Sequence, residues 1–176
     1  LILVTDFGHG FFSGDLINLL SSRAKFLAVN TQTNSGNSGF NMITKYPRAD
    51  YVCIDAPELR LAVHDRTTPL EQLIPSIAKQ LHCSRFTVTH GHLGSITHTS
   101  DQVFHKTPVF STQFVDRTGA GDAYLSVTAP CVAAGFPPDL VGFIGNAVGA
   151  MAIQIVCNRS AVEAAPLLKF ITSLLK

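Results

Sequence analysis

The first half of this chain alternates short, β-rich apolar runs with segments of helical period, and few folds accept that pattern. Leu1 to Thr5 is a strand-like run that ends at Asp6, passes the turn residues Gly8 and Gly10, and gives way to a helical pattern from Phe12 to Ser22. Ala24 to Val29 reads as a second buried strand, Tyr51 to Ile54 as a third and Arg85 to Thr89 as a fourth. Between the last two, Pro57 to His64 starts a helix, and Pro69 to Leu81 places Leu70, Leu73, Ile74, Ile77 and Leu81 on one helical face. Strands separated by helices must run parallel, because the crossover carries the chain back to the same end of the sheet, and such a sheet is covered on both faces. The fold class is therefore α/β. Gly94 to Thr99 and Gln102 to His105 then read as a hairpin, and Phe110 to Phe114 as a further short strand, which adds antiparallel strands at one edge. From Gly119 the chain turns helical, with Gly135-Phe136-Pro137-Pro138 splitting two helices and Pro166 opening a terminal one. Neither an internal repeat nor a linker interrupts residues 1–176, so a single domain is expected.

Composition narrows the function classes. Hydrophobic residues make up 46% of the 176 residues and charged residues 14%, which excludes disorder and coiled coil. A net charge of +1 provides no field for nucleic acid or an anionic membrane surface. Leu140 to Cys157 is apolar enough to raise the question of a membrane span. Its three glycines (Gly142, Gly145, Gly149) and its lack of basic or aromatic flanks favour a fully buried helix instead. Cys53, Cys83, Cys131 and Cys157 stand far apart without a C-x-x-C pair, and read as reduced, mostly buried thiols of a cytoplasmic protein, although their even number also permits two bridges. The chain starts on the strand itself, at Leu1, without a signal sequence, as a segment of a longer polypeptide would.

The segment richest in chemistry is Asp116-Arg117-Thr118-Gly119-Ala120-Gly121-Asp122, ahead of the first long helix. Glycines at 119 and 121 allow a sharp turn that converges backbone N–H groups on one point, at the positive end of a helix dipole. That is an anion hole. Asp122 falls in the first helical turn, where a carboxylate is stabilised in its ionised form and can take a proton from a hydroxyl beside a bound phosphate. Taken as a bare G-x-G-D, the same residues also suit an ordinary glycine turn with a helix-favouring acid. His90, His92 and His98 lack a carboxylate or thiolate to complete a metal site, and Asp116, His105 and Ser111 lack the nucleophile elbow of a hydrolase.

The full string D-x-T-G-A-G-D resembles the C-terminal signature of the ribokinase-like (PfkB) carbohydrate kinase family. The resemblance implies a ribokinase-like three-layer sandwich in which Asp122 is the catalytic base and Gly119, Ala120 and Gly121 form the anion hole. It further implies that Asp116 and Thr118 help to hold a monovalent cation such as K⁺. Three other segments follow in the family's order. Val88-Thr89-His90-Gly91-His92-Leu93-Gly94 is similar to its nucleotide turn, so Thr89, Gly91 and Gly94 are expected against ATP. Asn146 and Gly149, in Gly145-Asn146-Ala147-Val148-Gly149-Ala150, match the small-residue helix behind the adenine; helix packing explains the same small residues equally well. Asp55-Ala56-Pro57-Glu58 occupies the place of N-x-x-E, whose side chains organise Mg²⁺. Asp55 and Glu58 are the metal candidates, with a helix cap as the alternative use of the same two acids.

Departures accompany the match. Asp55 replaces the usual Asn. Asp6-Phe7-Gly8-His9-Gly10 resembles the D-Y-x-K-G turn of the heptose kinase branch, as found in ADP-heptose synthase-type proteins, with His9 in the Lys position. Where relatives read D-P-K, this chain has Asn30-Thr31-Gln32 and then a polar tract to Asn41, too irregular for helix or strand and long enough to be a functional loop. The resemblance covers nearly the whole chain but only the C-terminal part of the family fold; the first strands, most sugar-binding residues and the lid are absent. It implies transfer of phosphate from ATP to a sugar or sugar phosphate, little or no activity for residues 1–176 alone, and an open sheet edge suited to a homodimer or to further linked domains. The alternative is a degenerate kinase-like nucleotide-binding or scaffolding module, joined to a nucleotidyltransferase.

Overall fold

The computed structural model describes all 176 residues. Six strands form one sheet in the order of the sequence: β1 (Ile2–Asp6), β2 (Leu27–Thr31), β3 (Tyr51–Asp55), β4 (Arg85–Thr89), β5 (Ser95–Thr99) and β6 (Phe104–Thr107). The first four pair in parallel, and the β5–β6 hairpin adds two antiparallel strands at one side. Crossovers of one hand that always step in the same direction fall on the same face of a sheet. Helices α1 (Gly14–Arg23), α2 (Ala56–Val63) and α3 (Leu70–Gln80) accordingly share one apolar cluster with Val29, Val52, Ile54, Phe86 and Val88. The later helices α4 (Ala120–Ala133) and α5 (Pro138–Ala152) cover the opposite face, where Tyr124, Leu125 and Val141 meet Ala28, Tyr51 and Cys53. The final helix, α6 (Ala164–Leu174), leans on this second layer through Leu167. Neighbouring residues of β3 thus serve different cores, which is why its sequence is apolar without alternation.

Three sequence expectations are corrected. The second strand begins at Leu27 rather than Ala24, because α1 runs to Arg23 and Ala24 caps it by donating its N–H to Leu20. It also continues to Thr31, held along β1 by the bond from Gln32 N to Asp6 O (2.8 Å). Residues 110–114, expected as a strand, form a loop. Pro108 lacks the N–H that a further strand needs, and the segment is held by side chains instead, Phe110 against Phe143 and Phe114 under the Arg117 guanidinium. The buried helix expected over Leu140–Cys157 stops at Ala152. There the Ile153 carbonyl accepts the amides of Val115 and Asp116, and Cys157 donates its amide to Asp116 (2.8 Å), which draws the chain out of the helix into a left-handed pair, Cys157 and Asn158. No helix is long and apolar enough to cross a membrane. The four cysteines are unpaired; Cys53 and Cys83 are buried, whereas Cys157 is exposed, against expectation, on that same exit from α5.

Candidate active site

The four parallel strands end at Asp6, Thr31, Asp55 and Thr89, and every candidate residue from the sequence lies at or beyond this carboxyl edge or on the helices packed against it. Ligands of open α/β sheets bind there because the strands stop while their connections diverge.

A cleft of about 510 Å³ opens beside the ends of β3 and β4. Thr89, Gly91, Gly94, Asn146 and Gly149 all line it, as do Asp55, Ala120 and Gly121. Its outer wall is the loop of residues 109–114. After Thr89 the chain makes a single 3-10 turn, Gly91–Leu93, and returns through Gly94 at φ +87°. A side chain at Gly94 meets both that left-handed backbone and the carbonyl of Thr107 on the neighbouring strand. Gly94→Ala is therefore expected to lower stability by about 1–3 kcal/mol and to loosen the turn. A drop in the melting temperature, read by circular dichroism, checks it. Asn146 is a partial correction: its side-chain N–H groups go to Ser95 Oγ (2.7 Å) and Gly142 O (2.9 Å), which leaves only its carbonyl oxygen for the cleft.

Gly119, at φ +76°, is the N-cap of α4, and Asn158 packs over it where a Cβ would stand. The loop before it is clasped by Asp116, whose carboxylate accepts Thr118 N (2.9 Å) and Cys157 N (2.8 Å). Those amides hold its carboxyl well below the usual range. Asp116 thus has a structural employment, and the structure adds no further side chain to the cation site expected at Asp116 and Thr118. The Ala120 amide turns back to Arg117 O (3.3 Å), whereas the amides of Gly119, Gly121 and Asp122 donate to no protein group. Three amides at the head of α4, those of 119, 121 and 122, are therefore free to meet an anion, and Ala120 lines the cleft beside them.

Asp122 is half-buried and free of any ion pair. It lies outside the cleft lining, on the side of β2, where Gln32 Nε2 donates to its Oδ1 (2.7 Å). Burial raises its carboxyl above the ordinary value, against expectation, and the Gln32 bond offsets part of that rise. Asp55 and Glu58 form a reciprocal cap on α2: Glu58 N donates to Asp55 Oδ1 (2.7 Å) and Asp55 N to Glu58 Oε2 (2.8 Å). Thr33 N donates to the second Glu58 oxygen (3.0 Å). Burial, reinforced by Asp55, pushes the Glu58 carboxyl up to about 7. Of the two uses expected for these acids, the helix cap is the one observed. The pair caps a helix, yet with Asp122 it also makes a patch of desolvated acids with no lysine or arginine in an ion pair with them. This donor set fits a hydrated Mg²⁺ held jointly with phosphates; no three His, Cys, Asp or Glu groups converge as an all-protein cage.

Gln32 and Thr33 are the residues that the sequence reading missed. The signal was strand parity: Ala28 packs towards α4, so Asn30 and Gln32, two and four residues on, face the same way.

Sheet order, the two helical layers and the glycine loop at the head of α4 together define a ribokinase-like α/β domain. The chain belongs to the pfkB family of carbohydrate kinases, whose family model matches residues 14–163. Among solved structures it is similar to ribokinase from Thermotoga maritima (TM-score 0.77, 16% identity), covering 97% of this chain and 56% of that one. Phosphofructokinase-2 from Escherichia coli in complex with potassium gives a TM-score of 0.79 at 16% identity, covering 99% and 57%. Arabidopsis thaliana ribokinase complexed with ribose and ATP gives 0.72 at 18%, covering 96% and 55%. The chain spans a little over half the length of these proteins. No curated protein matches its sequence.

Proposed function

We propose that this chain is the C-terminal, ATP-binding portion of a carbohydrate kinase that phosphorylates a hydroxyl of a sugar or sugar phosphate. The carrying observation is the head of α4, where free amides at 119, 121 and 122 adjoin a half-buried carboxylate with no cationic partner. In this reading Thr89, Gly91, Gly94, Asn146 and Gly149 receive ATP in the cleft, and the ribokinase of Arabidopsis thaliana is known in complex with ribose and ATP. Asp55 and Glu58 hold Mg²⁺, which neutralises phosphate charge when bound. Asp122 takes the proton of the attacking hydroxyl, and the amides of Gly119, Gly121 and Asp122 stabilise the charge on the transferred phosphoryl group. Asp116 and Thr118 are assigned to a monovalent cation by likeness to the potassium complex of phosphofructokinase-2. The D-F-G-H-G turn supports a heptose-type acceptor, and the unpaired cysteines support a cytoplasmic setting.

Isothermal titration calorimetry of the chain with ATP, in the presence and absence of Mg²⁺, tests the reading. A magnesium-dependent binding heat, lost on Asp55→Ala, is the expected result. Absence of any such heat would favour a degenerate scaffolding module instead.

A further inference from the structure

The polar tract from Asn30 to Asn41 has no counterpart in the sequence logic of the family motifs, yet it is one of the most heavily hydrogen-bonded parts of the molecule. Asn41 Nδ2 donates to Asp6 O (2.7 Å) and to Gln32 O (3.0 Å). Asn37 Nδ2 donates to Phe7 O (2.8 Å) and, at 3.4 Å, to Gln32 O. Gln32 N donates to Asp6 O (2.8 Å). Beneath this lies Asp6, 2% exposed, which binds Lys45 Nζ at 2.5 Å, and Lys45 in turn donates to Asn41 Oδ1 (2.6 Å). Every contact of the tract with Gln32 is to its main chain, so the side-chain amide is left free for the 2.7 Å bond to Asp122 Oδ1, while Asp122 Oδ2 accepts no hydrogen bond from the protein.

The geometry points to Gln32 as the positioning residue of Asp122: the asparagine tract clamps its backbone, its amide grips one carboxylate oxygen, and the other stays available to a hydroxyl. The catalytic half of this statement rests on the kinase reading above; the positioning half does not. A side chain donating 2.7 Å from a half-buried carboxylate fixes its rotamer and favours its ionised form, the state in which it can accept a proton. The ionisable groups facing Asp122 are Glu58 from α2 and Cys53 on β3, so no nearby cation supplies this service. The amide of the adjacent Thr33 treats Glu58 in the same way. One dipeptide therefore orients two acids that occupy different elements.

The test needs no turnover. With ¹³C-labelled aspartate, the side-chain carboxyl resonance of Asp122, assigned by its loss in Asp122→Asn, is followed against pH in the wild-type chain, Gln32→Leu and Gln32→Lys. Gln32→Leu is expected to move the titration midpoint upward by about 0.5–1 pH unit, the equivalent of one lost hydrogen bond. Gln32→Lys, which keeps a donor, is expected to leave it at or below the wild-type value. Asn41→Ala, which frees the backbone clamp, should shift it part of the way towards Gln32→Leu. An Asp122 midpoint that is the same in wild type and Gln32→Leu overturns the proposal; should Gln32→Leu fail to fold, a midpoint in Gln32→Lys above the wild-type value does so. In the complete protein, kcat should fall in Gln32→Leu, with its acid limb displaced in the same direction and the KM for ATP unchanged. The expected resonance shifts without any kinase activity would retain Gln32 as the orienting group and discard the kinase reading alone.

Discussion

Replacing Asp122 with asparagine is expected to reduce sugar phosphorylation by the complete protein by about 10²- to 10⁴-fold, the usual contribution of a positioned general base. The substitution preserves shape and the donor from Gln32 but removes the proton acceptor. Because Asp122 stands outside the cleft proposed for ATP, ATP affinity should stay within a factor of about three. The pH profile provides a second check. Burial raises the Asp122 carboxyl, so in the wild type the rate falls as pH drops through that elevated value, and the base is fully competent only above it. The asparagine variant should lack this acid limb. Steady-state kinetics across pH 4–8 decide the matter; near-normal turnover in the variant would remove Asp122 from the mechanism.

A second large effect is expected far from any proton transfer. Asp6→Asn should destabilise the chain by about 3 kcal/mol, because it leaves the Lys45 ammonium without its partner in a nearly closed pocket. The cost falls at the lower end of the range for broken buried pairs, since the Lys45 side chain is 29% exposed and part of its charge can reach water. Tyr46 donates its hydroxyl to the same carboxylate (2.8 Å) and Gly8 its amide (2.9 Å). Burial works to raise the Asp6 carboxyl, but the bonds from Lys45, Tyr46 and Gly8 together outweigh it and leave it below the ordinary 3.8. A carboxylate depressed in the folded state contributes stability that is complete above the unfolded value and disappears as pH falls through the folded one. Wild-type stability in urea titrations should thus decline below about pH 4, whereas Asp6→Asn, already weaker at neutral pH, should decline less steeply there.

How much of this could be read beforehand depended on how local the determining forces are. The parallel core was legible because burial on both faces writes itself into runs such as Val52, Cys53 and Ile54. The turn into α4 was legible because Gly119, at φ +76°, is required by backbone geometry, whatever surrounds it. The roles of neighbouring side chains were less accessible. The clasp of Asp116 on the Cys157 amide was not foreseen, because the position of Cys157 depends on how α5 ends. The bond from the Ala120 amide to the Arg117 carbonyl is likewise encoded by no motif. Gln32 reaches Asp122 across ninety positions of sequence, through a strand whose last two residues had been read as loop. Long-range hydrogen bonds leave little trace in a single sequence, since any residue of suitable length serves.

The consecutive order of the sheet has a consequence for how the molecule assembles. Each strand from β2 to β6 docks on the one made immediately before it, so the sheet extends in the direction in which a ribosome releases the chain. Closing short loops first keeps the entropic barrier to each addition low. The opposite helical layer must wait, because α4 and α5 have nothing to cover until β3 to β6 are in place. Nascent chains arrested after residue 107 should therefore protect the parallel strands from hydrogen exchange while leaving Ala28, Tyr51 and Cys53 on a bare greasy surface that invites chaperone capture.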